Sequence, residues 1–162
     1  MNIRHPFPPL FDESSRTLIL GSFPSVKSRE AMFFYGHPQN RFWRVIAALY
    51  EEDVPQNIEE KKSIILKHNL ALWDSIQSCT ITGSSDSSVK DVVPNDLSLI
   101  INNSKVDRIF CNGALSYKMY EKFIFPKTNI NAVKLPSTSP ANAAFSLQRL
   151  VNEWEIIVKN GE

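Results

Sequence analysis

Few side chains in this sequence are suited to covalent or metal chemistry, and their spacing excludes most of it. Hydrolysis at a metal needs several His, Asp or Glu ligands converging on one ion. The histidines are His5, His37 and His68, and only His37 falls where the element order would place a ligand site. Serine hydrolysis needs a nucleophile beside a base. Ser22 follows an apolar run, but GSFPS is not G-x-S-x-G, and no histidine lies beyond His68. The phosphate-cradling G-x-x-x-x-G-K-S/T loop does not occur. Cys79 and Cys111 are too few for a four-thiolate centre and sit in or beside apolar runs, so both are expected as buried reduced thiols. What the chain has instead is FFYGHPQNRFW, residues 33–43, in which the three aromatic residues Phe33, Phe34 and Tyr35, a stiff Gly-His-Pro corner and Asn40 come before an amphipathic pattern. Aromatic faces and neutral amides suit a site that grips a flat polar ring and reads its edge.

The elements that must hold such a site follow from periodicity. Thr17–Phe23 is a buried strand running into a loop, and Asn40–Tyr50 has helical spacing through Phe42, Val45, Ile46 and Leu49. Ile58–His68 is a second helix, Leu70–Cys79 holds a strand, and residues 82–96 are a loop of turn formers. Asp96–Asn103 is a helix capped by Asn95 or Asp96. Val106–Asn112 is the cleanest interior strand; Gly113 turns it into a helix over Ala114–Phe125, and Asn131–Leu135 is a last strand. LPSTSPAN then starts a long helix, with Ser139 as cap and Pro140 at its first position; its inner stripe is Leu147, Leu150, Val151, Trp154 and Val158. Strands alternating with helices imply a parallel sheet covered on both faces, whose ligands bind outside the strand C-termini.

The totals bound the answer. The 162 residues suit a single domain, 1–162, and the formal charge of +1 gives no argument for a general nucleic-acid coat. The local excess of Lys27, Arg29, Arg41 and Arg44 over Glu30 suits a phosphate-rich partner or a solvated loop. The proline-rich start lacks a signal peptide's apolar core and no run is long enough to span a bilayer, so a cytoplasmic protein is expected.

The set LILGSFPSVKS, FFYGHPQNRFWRVI, LWDSI with GSSDSSVKD, IFCNGALSY and LPSTSPANA resembles the uracil-DNA glycosylase superfamily. It is most similar to the DNA-deoxyinosine (hypoxanthine-DNA) glycosylase branch; its HPxNRFW block is also similar to that of mismatch-specific uracil/thymine glycosylases. The likeness runs over nearly the whole chain. It implies a three-layer α/β/α fold with a central, mostly parallel four-stranded sheet. It also implies a monomeric, metal-free and cofactor-free enzyme that extrudes a damaged nucleotide from double-stranded DNA and hydrolyses its N-glycosidic bond.

By that resemblance Asn40 and Asn112 are the candidate catalytic residues, and Phe23, Tyr35, His37 and Asp74 the candidate base pocket. Each has a plainer alternative: a helix cap for Asn40, a turn before Gly113 for Asn112, loop packing for Phe23, Tyr35 and His37, and a loop-bridging role for Asp74. An amide fixed at a positively polarised helix end can orient a water or stabilise a departing base. Ser25, Lys27, Ser137, Thr138, Ser139 and Asn142 are the expected DNA contacts. One departure matters. Phe23 stands where relatives carry an Asp or Asn that positions the attacking water, so Asn40, Asp74 or Asn112 takes that task, or leaving-group stabilisation carries the rate. The leading expectation is a glycosylase for hypoxanthine, with uracil second. Its rivals are a non-catalytic nucleic-acid or nucleotide binding module of the same fold and an esterase using Ser22.

Overall fold

The computed structural model describes residues 1–159. The first half of the chain runs β1 (Asn2–Arg4), β2 (Thr17–Gly21), α1 (Val26–Ala31), α2 (Phe42–Leu49), α3 (Ile58–Lys67), β3 (Leu70–Asp74) and β4 (Ile76–Thr80). The second half runs β5 (Lys90–Pro94), α4 (Ser98–Asn102), β6 (Arg108–Asn112), α5 (Ala114–Met119), a π-helical turn over Tyr120–Ile124, α6 (Phe125–Thr128), β7 (Ala132–Leu135), α7 (Leu147–Trp154) and α8 (Ile156–Lys159).

The centre is the expected four-stranded parallel sheet, in the order β3-β2-β6-β7. Alternation along its strands divides the core. Ile19, Leu70, Leu72 and Phe110 face one side, where Phe42, Val45, Ile46, Ile65, Leu150 and Trp154 bring α2, α3 and α7 against them. Leu18, Leu20, Ala71, Ile109 and Cys111 face the other, under Leu97, Ile100, Tyr120 and Ile124. Both faces of β2 are therefore apolar, which is why TLILG reads as a continuous run and not an alternating one. Burying each such side chain contributes about 1.5–3 kcal/mol before chain entropy is counted. The two cysteines are free and buried, as expected, and burial pushes the Cys111 thiol up to about 12, leaving no thiolate nucleophile there.

Several expected boundaries move, each for a physical reason. The run Leu70–Cys79 is two strands separated at Ser75: β3 joins the central sheet, while β4 turns away into a second, antiparallel sheet ordered β1-β4-β5. Residues 82–96, expected as loop, supply β5, whose pairing with β4 is a tertiary event hidden behind the turn formers before it. The first long loop contains the short helix α1, capped by Ser25 and too brief to show a period. The helix expected over Ala114–Phe125 widens into a π turn and resumes with Pro126 at its start, where the missing N–H is harmless.

The last helix begins at Leu147 under Ser146, not at Pro140 under Ser139. Between them Asn142 N–H donates to Ser139 O and Phe145 N–H to Asn142 O, a pair of successive turns. Its buried stripe is Leu150, Trp154 and Ile157 in place of Val158, because the helix is interrupted after Trp154.

Candidate active site

Strand polarity brings four loops to one edge: those following Gly21, Asp74, Asn112 and Leu135. They enclose a cleft of about 960 Å³ at the C-terminal rim of the sheet. It lies where β2 leads one way to β3 and β6 the other way to β7, the switch point at which open α/β sheets bind ligands. Phe23, Ser25, Tyr35, His37, Asn40, Asp74, Asn112, Ser137, Thr138, Ser139 and Asn142 all line it; Lys27 does not.

Asn40 lies one residue before the cap position of α2, which belongs to Arg41. Its Oδ1 still accepts the Phe42 N–H at 2.9 Å, and it also accepts the Thr138 hydroxyl at 2.8 Å. Both lone pairs of that oxygen are thus taken, while Nδ2 has no partner among the described residues and remains a free donor on a residue that lines the cleft. On the same wall, Asn112 ends β6. Its Oδ1 accepts the Thr138 N–H at 3.0 Å and its Nδ2 donates to Thr138 Oγ1 at 3.0 Å. A single fully buried hydroxyl therefore joins the two amides and fixes which end of each faces the cleft.

That placement corrects the expectation for Thr138: it is interior wall, not a surface contact. Its neighbours stay partly exposed at the mouth, held by local bonds. Ser137 Oγ accepts the Ser139 N–H, Ser139 Oγ accepts the Ala141 N–H, and Asn142 Nδ2 donates to Ser137 O. Arg41 staples this segment from behind, its guanidinium donating to the carbonyls of Ser139, Asn142 and Phe145. Arg29 likewise donates to Pro24 O and Gly83 O, and Lys27 stands 3.6 Å from Glu30, so much of the local basic excess is engaged inside the loops. Ser25 caps α1 with its hydroxyl accepting the Ser28 N–H.

Tyr35 is the aromatic residue beside Asp74 and Gly21 at the floor. Its backbone is left-handed (φ 52°), a strained state for a side chain of this size. One ring face stacks on Phe42 with centroids 3.9 Å apart. The hydroxyl is buried and unpartnered although the ring is only half-buried. Burial pushes the Tyr35 phenol well up, the Asp74 carboxylate adds to that, and the neighbouring Asn112 amide opposes it, so the group stays neutral. His37 sits at the mouth with Nδ1 accepting the Gln39 N–H. Phe23 also lines the cleft, with the Arg29 guanidinium 5.7 Å from its ring centroid.

Asp74, buried at the end of β3, faces the cleft floor and is held by a residue that spacing did not point to. His5 Nε2 lies 2.6 Å from Asp74 Oδ2. His37 is therefore not the lone histidine at this edge: a second arrives from the front of the chain, carried by β1 as it pairs with β4. Alternation around Ile3 in NIRH was the only signal, too short to read. His5 Nδ1 has no partner, so it forms no relay to Ser22. Among the described residues no three His, Cys, Asp or Glu side chains gather as metal ligands. No helix among them is long and apolar enough to cross a membrane.

Comparison with known proteins gives the family of the chain. The family model "Uracil DNA glycosylase superfamily" matches residues 8–157. The chain belongs to the uracil-DNA glycosylase superfamily. Within it, the chain is 35% identical over 159 residues to a hypoxanthine DNA glycosylase of Methanosarcina acetivorans, covering 98% of this chain and 99% of that protein. A hypoxanthine DNA glycosylase of Methanosarcina barkeri is 34% identical over 95 residues, 58% of this chain and 60% of that one. The solution NMR structure of a candidate uracil DNA glycosylase from Methanosarcina acetivorans superposes with a TM-score of 0.83 at 32% identity, covering 99% of both chains.

Proposed function

We propose that this superfamily member is a monofunctional DNA glycosylase, working as one domain on double-stranded DNA. It takes a deaminated base out of the stack into the cleft and hydrolyses its N-glycosidic bond. Hypoxanthine is the principal base, as the names of the two relatives suggest, and uracil a second. The observation that carries the reading is the polarity of Asn40: oxygen saturated, nitrogen free at the cleft. A fixed N–H donor stabilises negative charge building on a departing base, with no reorganisation at the moment of bond breaking. The same saturation argues against Asn40 Oδ1 as the acceptor that aligns water, so leaving-group stabilisation carries most of the rate and Phe23 need not be replaced by an acid.

In this reading Tyr35 and Phe23 flank the extruded ring, and His37 closes the mouth. Asn112 offers its second N–H to the carbonyl at the base edge, and Asp74 lies at the same edge. Ser137, Ser139 and Asn142, with Ser25 and Lys27, meet the phosphates and sugars beside the lesion. The test is a panel of duplexes carrying one deoxyinosine, uracil or adenine, with abasic product measured. Release from deoxyinosine and, more slowly, uracil is expected, with none from adenine. Tight binding to the deoxyinosine duplex without product would favour the non-catalytic module.

A further inference from the structure

We propose that His5 is a positioning residue for base selection: by holding Oδ2 of Asp74 it fixes Oδ1 at the cleft floor as the acceptor for the ring N–H of a lactam base. The inference rests on the excision reading and extends it to a side chain outside the cleft lining.

His5 stands just past β1, and its backbone N–H donates to Gln77 O at 2.7 Å, continuing the β1–β4 pairing and bringing the ring beside Asp74. An ionised carboxylate has only lone pairs to offer, so the 2.6 Å contact puts the imidazole proton on Nε2, donating to Oδ2. Nδ1 is a buried nitrogen with no partner. A buried polar atom left without a partner lowers stability, and an apolar side chain would pack between the Phe7 and Trp73 rings, each centred 4.5 Å away, without that loss. Packing alone does not explain a histidine here; its hold on Asp74 does.

The other carboxylate oxygen is free. Oδ1 has no protein partner among the described residues and lies 2.3 Å from the point where a side chain on residue 21 would begin. Only glycine at position 21 leaves it where it is. Hypoxanthine and uracil both place a ring N–H beside a carbonyl; adenine places a ring lone pair beside an amine. A fixed acceptor at Asp74 meets the first pattern and repels the second, while Asn112 supplies the donor for the carbonyl. A site built around such bonds rejects an analogue lacking them far more strongly than an apolar slot can.

The experiment compares single-turnover release from duplexes carrying deoxyinosine or deoxynebularine, which lacks both the ring N–H and the six-position oxygen. Wild type is expected to favour deoxyinosine about 100-fold. Asp74→Asn should collapse that ratio. His5→Leu and His5→Phe should lower it about tenfold or more, through the deoxyinosine rate alone, and His5→Gln, whose amide reaches the same oxygen, should restore it. A wild-type ratio in a folded apolar variant, or equal losses on both substrates, overturns the positioning role. Should neither apolar variant fold, an unchanged ratio in the nearly isosteric Asp74→Asn overturns the selection it serves. If wild type releases nothing from deoxyinosine, the excision reading itself has failed, which is a different outcome.

Discussion

The two sides of the cleft are built on opposite terms. The wall of Asn40, Thr138 and Asn112 is saturated: one buried hydroxyl donates to Asn40, accepts from Asn112 and stands over a backbone N–H that Asn112 also binds. The floor of Tyr35, Asp74 and Gly21, with His5 behind it, is under-satisfied, with two buried polar atoms lacking partners, one left-handed tyrosine and a glycine required by a carboxylate. A saturated network has one arrangement and presents its remaining donors rigidly, as charge stabilisation requires. Unsatisfied groups are retained where a ligand is to complete them. Under the proposed excision reading, the difference would give rate to the wall and choice of base to the floor.

Four substitutions would break or sharpen that division. The largest effect is expected for Asn40→Asp, which keeps the oxygen that binds Phe42 N–H and Thr138 but removes the free donor. Single-turnover release from deoxyinosine should fall about 10²–10³-fold, while thermal melting moves only a few degrees. Thr138→Val should instead fail in stability. It orphans an Asn112 N–H and relaxes Asn40, so urea unfolding should show a loss of about 1–3 kcal/mol, with a smaller loss of rate. Gly21→Ala forces its new carbon against Asp74 Oδ1 and should destabilise by about 1–3 kcal/mol, with base discrimination falling more than the uracil rate. Smallest is Tyr35→Phe, which removes an unpartnered hydroxyl and keeps the stack on Phe42. Stability should change by less than about 1 kcal/mol, in either direction, and a large loss would show that the floor is as tightly satisfied as the wall.

Legibility followed locality. TLILG and RIFCN were readable because a strand buried on both faces is a short apolar run with turn formers after it; β7, at the edge of the sheet with Val133 and Lys134 exposed, was marked by the turn formers of LPSTSPAN that follow it. Asn40 was readable because its type suits a helix start, though its cap position was off by one. Thr138 was misread because its neighbours are exposed hydroxyls of the same kind, and nothing local marks the one that turns inward. His5 was missed because its partner is 69 residues away and reached through a second sheet whose strands pair only in three dimensions.

By itself, the sequence determined the alternation of strands and helices, and with it the parallel sheet, the edge that must hold the site and the amide and aromatic residues delivered there. Periodicity and turn chemistry act within a few residues, so these were settled before any long-range contact. The tertiary structure alone decided which atoms of those residues are already used. Whether Asn40 offers its oxygen or its nitrogen, and whether Asp74 turns one oxygen or two to the cleft, depends on Thr138 and His5. Those partners are set by the packing of distant strands, for which no local pattern exists.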